Sequence, residues 1–489
     1  MKFLALLVMA FALNTEATIY NSKAIVHPEV GKNGMVVSQH YLATNAGHSI
    51  LAEGGNAYDA SIAVAFALAV VLPRAGNIGG GGFMVMFDEA SQESYSIDYR
   101  EIAPEAATKN MFLASDGSVD KKRATQGVLS IGVPGTVYGM WEVHKKFGSL
   151  PWSTLLAPAI ELAEEGFLIS PFMADALNKR YKKLGKYKNF KDIFYSNYPV
   201  QMHQRLKQPN LANTLKTIST NGVKGFYEGE VATKIDAFMR ENGGLITKKD
   251  LKNYRPIWRE TLHGDFNEHK IITMGPPSSG GVHIIQMLNI LENYDLVMMG
   301  HNSPTYTALL TESMKYAYAD RSKYLGDPEF FDVPVQSLIS KEYAKKINNK
   351  IKLDSITPSE KILPGSELKN ESLDTTHFSV ADKNGNIVSN TYTLNSGFGS
   401  GVVVDGTGIL MNNEMDDFVS APGVPNQFGL IGGEANKIEP FKRPLSSMTP
   451  TIVLKDGKPL YATGSPGGSR IITTVLQFLL NTLVFKMEI

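Results

Sequence analysis

"LDTTHFSVADKNGNIVSNTYTLNSG", residues 373–397, is the stretch from which the architecture can be read. Asn384-Gly385 supplies a hairpin turn, and the runs on either side are rich in β-branched and aromatic residues, so the segment reads as two antiparallel strands. Two adjacent threonines, Thr375 and Thr376, stand between Asp374 and His377 at the mouth of the first strand. In one reading they are ordinary β-branched strand residues. In the other, Thr375 is a nucleophile. The chain has no cysteine, so a covalent nucleophile has to come from Ser, Thr, Lys or a carboxylate. A threonine hydroxyl needs a base beside it. Cutting the bond before Thr375 would free an α-amine of pKa about 8 on the same residue, able to serve as that base near neutral pH.

Upstream of the hairpin, residues 329–374 are polar, carry Pro334, Pro358 and Pro364, show little periodicity, and read as an exposed connector. Residues from Pro104 to about Ile290 are mostly helical and charged, with "HGDFNEHKIITM" as a strand segment and a Gly-Pro-rich turn at Gly275–Gly281 before another helix. Nearer the start, a strand is followed by a helix from about Thr44, a Gly54-Gly55-Asn56 break, and an Ala-rich helix from Ala57 to Val71 apolar on nearly every side. Gly79–Gly82 lead into two strands, Phe83–Phe87 and Ser94–Tyr99. These glycines allow close backbone approach, but no phosphate-loop or dinucleotide spacing accompanies them. Helices flanking the first half and strands opening the second predict stacked sheets with helices outside, in one layered α/β body without repeats.

Composition removes several function classes. The chain has 489 residues, 43% of them apolar and 20% charged, as expected of a folded globular protein. Lys plus Arg equals Asp plus Glu at 48 each, so no global field favours nucleic acid. The basic run "KRYKKLGKYKNFK" (179–191) reads as a solvated helix face and loop. No HExxH or EF-hand spacing occurs, and no metal site is expected. "MKFLALLVMAFALNTEA", residues 1–17, has the basic start, short apolar run and small-residue end of a secretory signal. It is too short to span a bilayer, and "IITTVLQFLLNTLVF" (471–485) is short and interrupted by polar residues, so no membrane span is expected.

Two further segments can carry chemistry. In "RPLSSMTPTIV" (443–453), Ser446 and Ser447 can hold a carboxylate; in "GSPGGSR" (464–470), Gly467 and Gly468 can aim backbone N–H groups at an oxyanion, with a helix beginning after Ser469. Taken singly, each also reads as a plain turn.

Together the segments are more specific. "TTHFSVADKNGNIVSNTYTLNSGFGSG", "NNEMDDF", "KRPLSSMTPTIV" and "GSPGGSR", preceded in order by "EGGNAYDASIAVAFALAVVLPRAGNIGGGGFMV", "DYREIAP", "GVPGTVYG" and "MGPPSSGG", resemble the gamma-glutamyltranspeptidase family of N-terminal nucleophile hydrolases. The likeness runs from about Gly34 to about Asn481. It implies a four-layer αββα sandwich, made as an inactive precursor that cuts itself between Asp374 and Thr375 into a large subunit (18–374) and a small one (375–489). Thr375 would be nucleophile in both self-cleavage and catalysis, and Thr393 would orient it. Arg100, with Ser446 and Ser447, would clamp the α-carboxylate of a γ-glutamyl group. Asn395, Glu414 and Asp417 would hold its α-amino group, and Gly467 and Gly468 would form the oxyanion hole. Glutathione and other γ-glutamyl compounds would be donors, with water, amino acids or dipeptides as acceptors and no cofactor. A signal without a lipobox cysteine implies the periplasm or secretion.

Two departures from the family pattern bear on these expectations. In "PGVPNQFGLIGG", Phe428 stands where a hydroxylated aromatic often closes the pocket, which predicts a looser lid and more hydrolysis relative to transfer. The family also continues past the helix after "GSPGGSR", whereas this sequence ends in "LVFKMEI"; a truncated, unprocessed and inactive homologue is the alternative from another class. A related acylase acting on glutaryl β-lactams is the alternative among enzymes, disfavoured because Glu414 and Asp417 suit an ammonium that glutaryl lacks.

Overall fold

The computed structural model describes residues 29–359, 362, 375–421 and 423–489. The expected signal segment 1–17 and Asp374 lie outside the described residues. Twelve strands occur among those described: β1 (Gly34–Val37), β2 (Gly81–Asp88), β3 (Glu93–Asp98), β4 (Phe167–Leu168), β5 (Arg205–Leu206), β6 (Ile257–Arg259), β7 (Leu262–Phe266), β8 (His269–Thr273), β9 (Thr375–Asp382), β10 (Ile387–Thr393), β11 (Thr451–Lys455) and β12 (Lys458–Thr463). One sheet has the order β1-β9-β10-β2-β3-β6 and a second the order β12-β11-β8-β7, while β4 and β5 form a small ribbon. Every pairing within these sheets is antiparallel.

The two sheets pack face to face, with β10 against β11 and β12, and helices cover both outer surfaces. On one side lie α1 (Tyr41–Ala52), α2 (Ala57–Val71), α3 (Thr136–Phe147) and α4 (Trp152–Glu165). On the other lie α5 (Gly280–Leu291), α6 (Pro304–Tyr324), α7 (Lys341–Asn348) and α8 (Arg470–Leu483). This is the expected αββα sandwich. Strand period explains the layers: Met84 and Met86 of β2, with Phe378 and Val380 of β9, join the core under α2, while Phe83, Val85 and Phe87 join the core built with the second sheet.

α2 is buried along its whole length, as an Ala-rich helix apolar all round must be. Asn56 and Asp59 close a reciprocal cap at its start, and the Ala57 N–H donates to Asp382 Oδ2 at 3.0 Å, tying the helix to the end of β9. Residues 375–489 are not a separate unit. They supply β9 and β10 to the middle of the first sheet and β11 and β12 to the second, so both sheets mix strands from either side of residue 374.

Two sequence expectations need correction. α1 begins at Tyr41, three residues before the expected Thr44, because the His40 ring nitrogen accepts from the Leu42 N–H and caps the helix in place of the usual Ser, Thr, Asp or Asn. The segment read as an exposed connector contains α7, which buries Ala344 and Ile347 beside Ile290 of α5. That helix is anchored by two apolar residues three apart, too few to show as periodicity. No helix among the described residues is long and apolar enough to cross a membrane.

Candidate active site

Thr375 is the first residue of β9, and its cross-strand partner on β10 is Thr393. Alternation turns Thr375, His377 and Ser379 toward the second sheet, together with Ser389, Thr391 and Thr393, while Phe378 and Val380 point to the helices. The Thr393 end of β10 is braced from behind. Asn77 Nδ2 donates to the Thr393 carbonyl at 2.8 Å, and Asn77 Oδ1 accepts from the Gly80 N–H and from Thr136 Oγ1, both at 2.8 Å. A Cβ on Gly80 would sit 2.2 Å from the Thr393 carbonyl oxygen. The glycine run therefore serves close backbone packing against β10.

A cavity of about 20 Å³ opens beside Thr375, lined also by Arg100, Arg321, Thr393, Asn395, Glu414, Asp417, Phe428, Ser446, Ser447 and Gly468. Apart from Gly467 and the undescribed Asp374, every site residue expected from the sequence lines it. Gly467 precedes the lining Gly468 directly. Both glycines have positive φ, 131° and 56°, at the start of α8, and among the described residues neither backbone N–H is engaged in a hydrogen bond. Those donors and the N-terminal end of α8 suit a developing oxyanion.

The Arg100 side chain is paired with Glu414 and Asp417, the latter at 2.5 Å, with Glu101 at 3.6 Å. The group expected for the carboxylate and those expected for the ammonium are thus ion-paired with one another. Burial outweighs the help of Arg100, so Glu414 is held well above the usual carboxylate range, Asp417 is raised, and Glu101 is pushed up to about 7. One guanidinium cannot satisfy three buried carboxyls; Arg321, in the same cavity, adds positive charge that favours ionised Asp417. Asn395, at φ 76°, donates its amide N–H to the Asn413 carbonyl at 3.0 Å, which leaves Oδ1 as its acceptor toward the cavity.

Over the pocket, the loop 423–433 places Phe428 against Gly468, where an added Cβ would meet the ring at 2.9 Å. The loop is held by Gln427 N–H to Asp416 Oδ2 at 3.1 Å, Ser396 Oγ to Gln427 Oε1 at 2.7 Å and Asn426 Nδ2 to Asp417 Oδ1 at 3.3 Å. The loop thus carries three fastenings that need no hydroxyl on residue 428. Among the described residues, no cluster of metal-ligating side chains is present.

Arg321, Glu101, Asn77 and Asp416 were not singled out from the sequence. For Arg321 a signal existed: Leu309, Ser313, Ala317 and Arg321 recur every four residues along α6 and are all buried, so a cation interrupts a buried stripe.

An αββα sandwich in which an interior strand opens on a threonine, beside glycine N–H donors at a polar cleft, defines an N-terminal nucleophile hydrolase. The gamma-glutamyltranspeptidase family model matches residues 43–489. The glutathione hydrolase proenzyme of Escherichia coli (strain K12) is 48% identical over 468 residues, covering 95% of this chain and 80% of that protein. Among solved structures, Helicobacter pylori gamma-glutamyltranspeptidase is 47% identical with a TM-score of 0.67, covering 70% of this chain and 97% of that one. A cephalosporin acylase from Bacillus halodurans is 30% identical with a TM-score of 0.83, covering 96% and 84%. The chain belongs to the gamma-glutamyltranspeptidase family.

Proposed function

We propose that this protein is a self-processing gamma-glutamyltransferase and glutathione hydrolase, with Thr375 as its nucleophile. The observation that carries the reading is the shared cavity of Thr375, the Arg100–Glu414–Asp417 cluster and the Ser446-Ser447 pair. In the uncut chain the Thr375 nitrogen is an amide and cannot act as a base. Attack of Thr375 Oγ on the preceding carbonyl converts the amide to an ester, water releases Asp374, and the freed amine becomes the base for turnover.

In turnover, the α-amine takes the proton of Thr375 Oγ as that oxygen attacks the γ-carbonyl of glutathione. The Gly467 and Gly468 N–H groups hold the oxyanion. Collapse returns the proton to the leaving cysteinylglycine amine and leaves a γ-glutamyl ester on Thr375. Water then completes hydrolysis, or the amine of an amino acid or dipeptide completes transfer. Thr393 orients the nucleophile. The substrate ammonium goes to Glu414, Asp417 and Asn395, and its α-carboxylate to Arg100, Ser446 and Ser447. Glu414 and Asp417 also favour this substrate over a glutaryl amide, which brings no ammonium.

The subunits would be residues 18–374 and 375–489, remaining associated because both sheets contain strands of each. The leader-like residues 1–17 support export to the periplasm or secretion. Intact mass and N-terminal analysis, combined with a γ-glutamyl anilide assay, test the proposal. Two fragments, the smaller beginning at Thr375, with anilide cleavage are expected; a single uncut, inactive chain overturns it.

A further inference from the structure

Arg321 lies near the end of α6, is 4% exposed, and lines the same cavity as Thr375. The other buried arginines have carboxylate partners: Arg100 has Asp417 at 2.5 Å and Arg443 has Asp98 at 3.3 Å. Among the described residues, the side-chain partners of Arg321 are only hydroxyls. Its Nε donates to Ser279 Oγ at 3.0 Å and one terminal nitrogen to Ser447 Oγ at 3.2 Å. Ser279 Oγ donates in turn to the Ser446 carbonyl at 2.7 Å, and the Ser279 N–H to the same oxygen at 2.9 Å. Asp417 lines the same cavity and favours the Arg321 charge from a distance, but no carboxylate is in direct contact with the guanidinium, and a buried charge without a direct partner is costly.

The serine hydroxyls are prepared for an arriving anion. Ser447 Oγ accepts from Arg321 and Ser446 Oγ from the Met448 N–H at 3.1 Å; among the described residues neither gives its own proton to a partner. With one lone pair of each oxygen occupied by an N–H, both hydroxyl protons are available to a carboxylate in the cavity. The charge count agrees. Arg100 is already shared by Glu414 and Asp417, so the positive charge not claimed by a direct partner stands at the serine end, on Arg321. Burial lowers its pKa to about 10, which leaves it cationic at neutral pH.

We infer that Arg321 is a positioning and specificity residue, which orients Ser446 and Ser447 as donors and holds at the serine end a positive charge that no carboxylate contacts directly, selecting an α-carboxylate on the substrate. The inference rests on the γ-glutamyl reading of the site.

The test compares two anilides on mature enzyme: γ-glutamyl, which carries the α-carboxylate, and 4-aminobutyryl, which keeps the amine but lacks it. Arg321→Gln is expected to raise KM for the first at least tenfold with kcat within threefold, and to lower discrimination between the two by a similar factor. Arg321→Lys restores part of it. Equal losses on both substrates, as a purely structural role would give, overturn the inference. Should Arg321→Gln block self-cleavage, Ser279→Ala decides: a fall in discrimination of threefold or more supports the relay, and an unchanged ratio overturns it. A wild-type enzyme inert toward the γ-glutamyl anilide would instead refute the underlying reading of the site.

Discussion

β9 and β10 present two faces that differ in kind although they share the same residues' backbone. Toward the helices, Phe378, Val380, Val388 and Tyr392 are buried in an apolar wall. Toward the second sheet lie Thr375, His377, Ser379, Ser389, Thr391 and Thr393, mostly bonded among themselves or to the facing sheet. His377 bridges Thr391 Oγ1 at 2.9 Å and Ser379 Oγ at 3.0 Å, and Ser389 Oγ donates to the Thr463 carbonyl at 3.0 Å. One face supplies cohesion and the other a polar channel whose open end is Thr375. A polar threonine can therefore sit in a deep core because the polar residues behind it on the same face are bonded.

The strongest way to break the comparison is at adjacent residues. Thr375→Ala should abolish self-cleavage and reduce γ-glutamyl anilide turnover at least about 10³-fold, read by intact mass and initial rates. Phe378→Ala, on the opposite face, should lower stability by about 3–5 kcal/mol through a cavity under α2, measured by denaturant unfolding of the uncut chain made with Thr375→Ala.

A pH series sharpens the contrast. Burial holds His377 down at about 3 against an ordinary 6.5. Its neutral form contributes stability that is fully present above 6.5 and is lost as pH falls toward 3. Glu101 and Asp416, each raised to about 7 by burial, act in the opposite sense, with stability present below their ordinary values and lost as pH rises to 7. Unfolding at pH 7 and pH 5 should therefore show a flatter loss on acidification in His377→Asn than in wild type; an unchanged difference would rule out the neutral bridging role.

Smaller effects are expected at the lid and at the second threonine. Phe428→Tyr should shift products toward transfer by no more than about fivefold, the worth of one net hydrogen bond near 1 kcal/mol; an unchanged product ratio would remove the hydroxyl from the account of the lid. Thr376 Oγ1 is buried with no partner among the described residues. Thr376→Val should leave stability unchanged or raise it by up to about 1 kcal/mol, and a loss of several kcal/mol would mean the hydroxyl is satisfied in solution.

Much of this was legible from local pattern. The hairpin 375–393 followed from Asn384-Gly385 and its flanking runs, the buried α2 from its composition, and the glycine pair before α8 from its spacing. Motif likeness named the pocket residues. What remained hidden depended on partners far away in the chain. His40 caps α1 with an unusual side chain; α7 is anchored by two residues; and Arg321 becomes notable only when Ser279 and Ser447 reach it from other elements.

The sequence by itself determined which residues could supply a nucleophile, a carboxylate clamp and an oxyanion hole, because hydroxyls, charges and glycine conformations are properties of single residues and short turns. Only the tertiary structure decided how the charges are shared. Arg100 folds onto Glu414 and Asp417 while Arg321 is left facing two serines. That division is set by burial and by which side chains the two sheets and α6 bring within a few ångströms, and neither is a property of the chain's order.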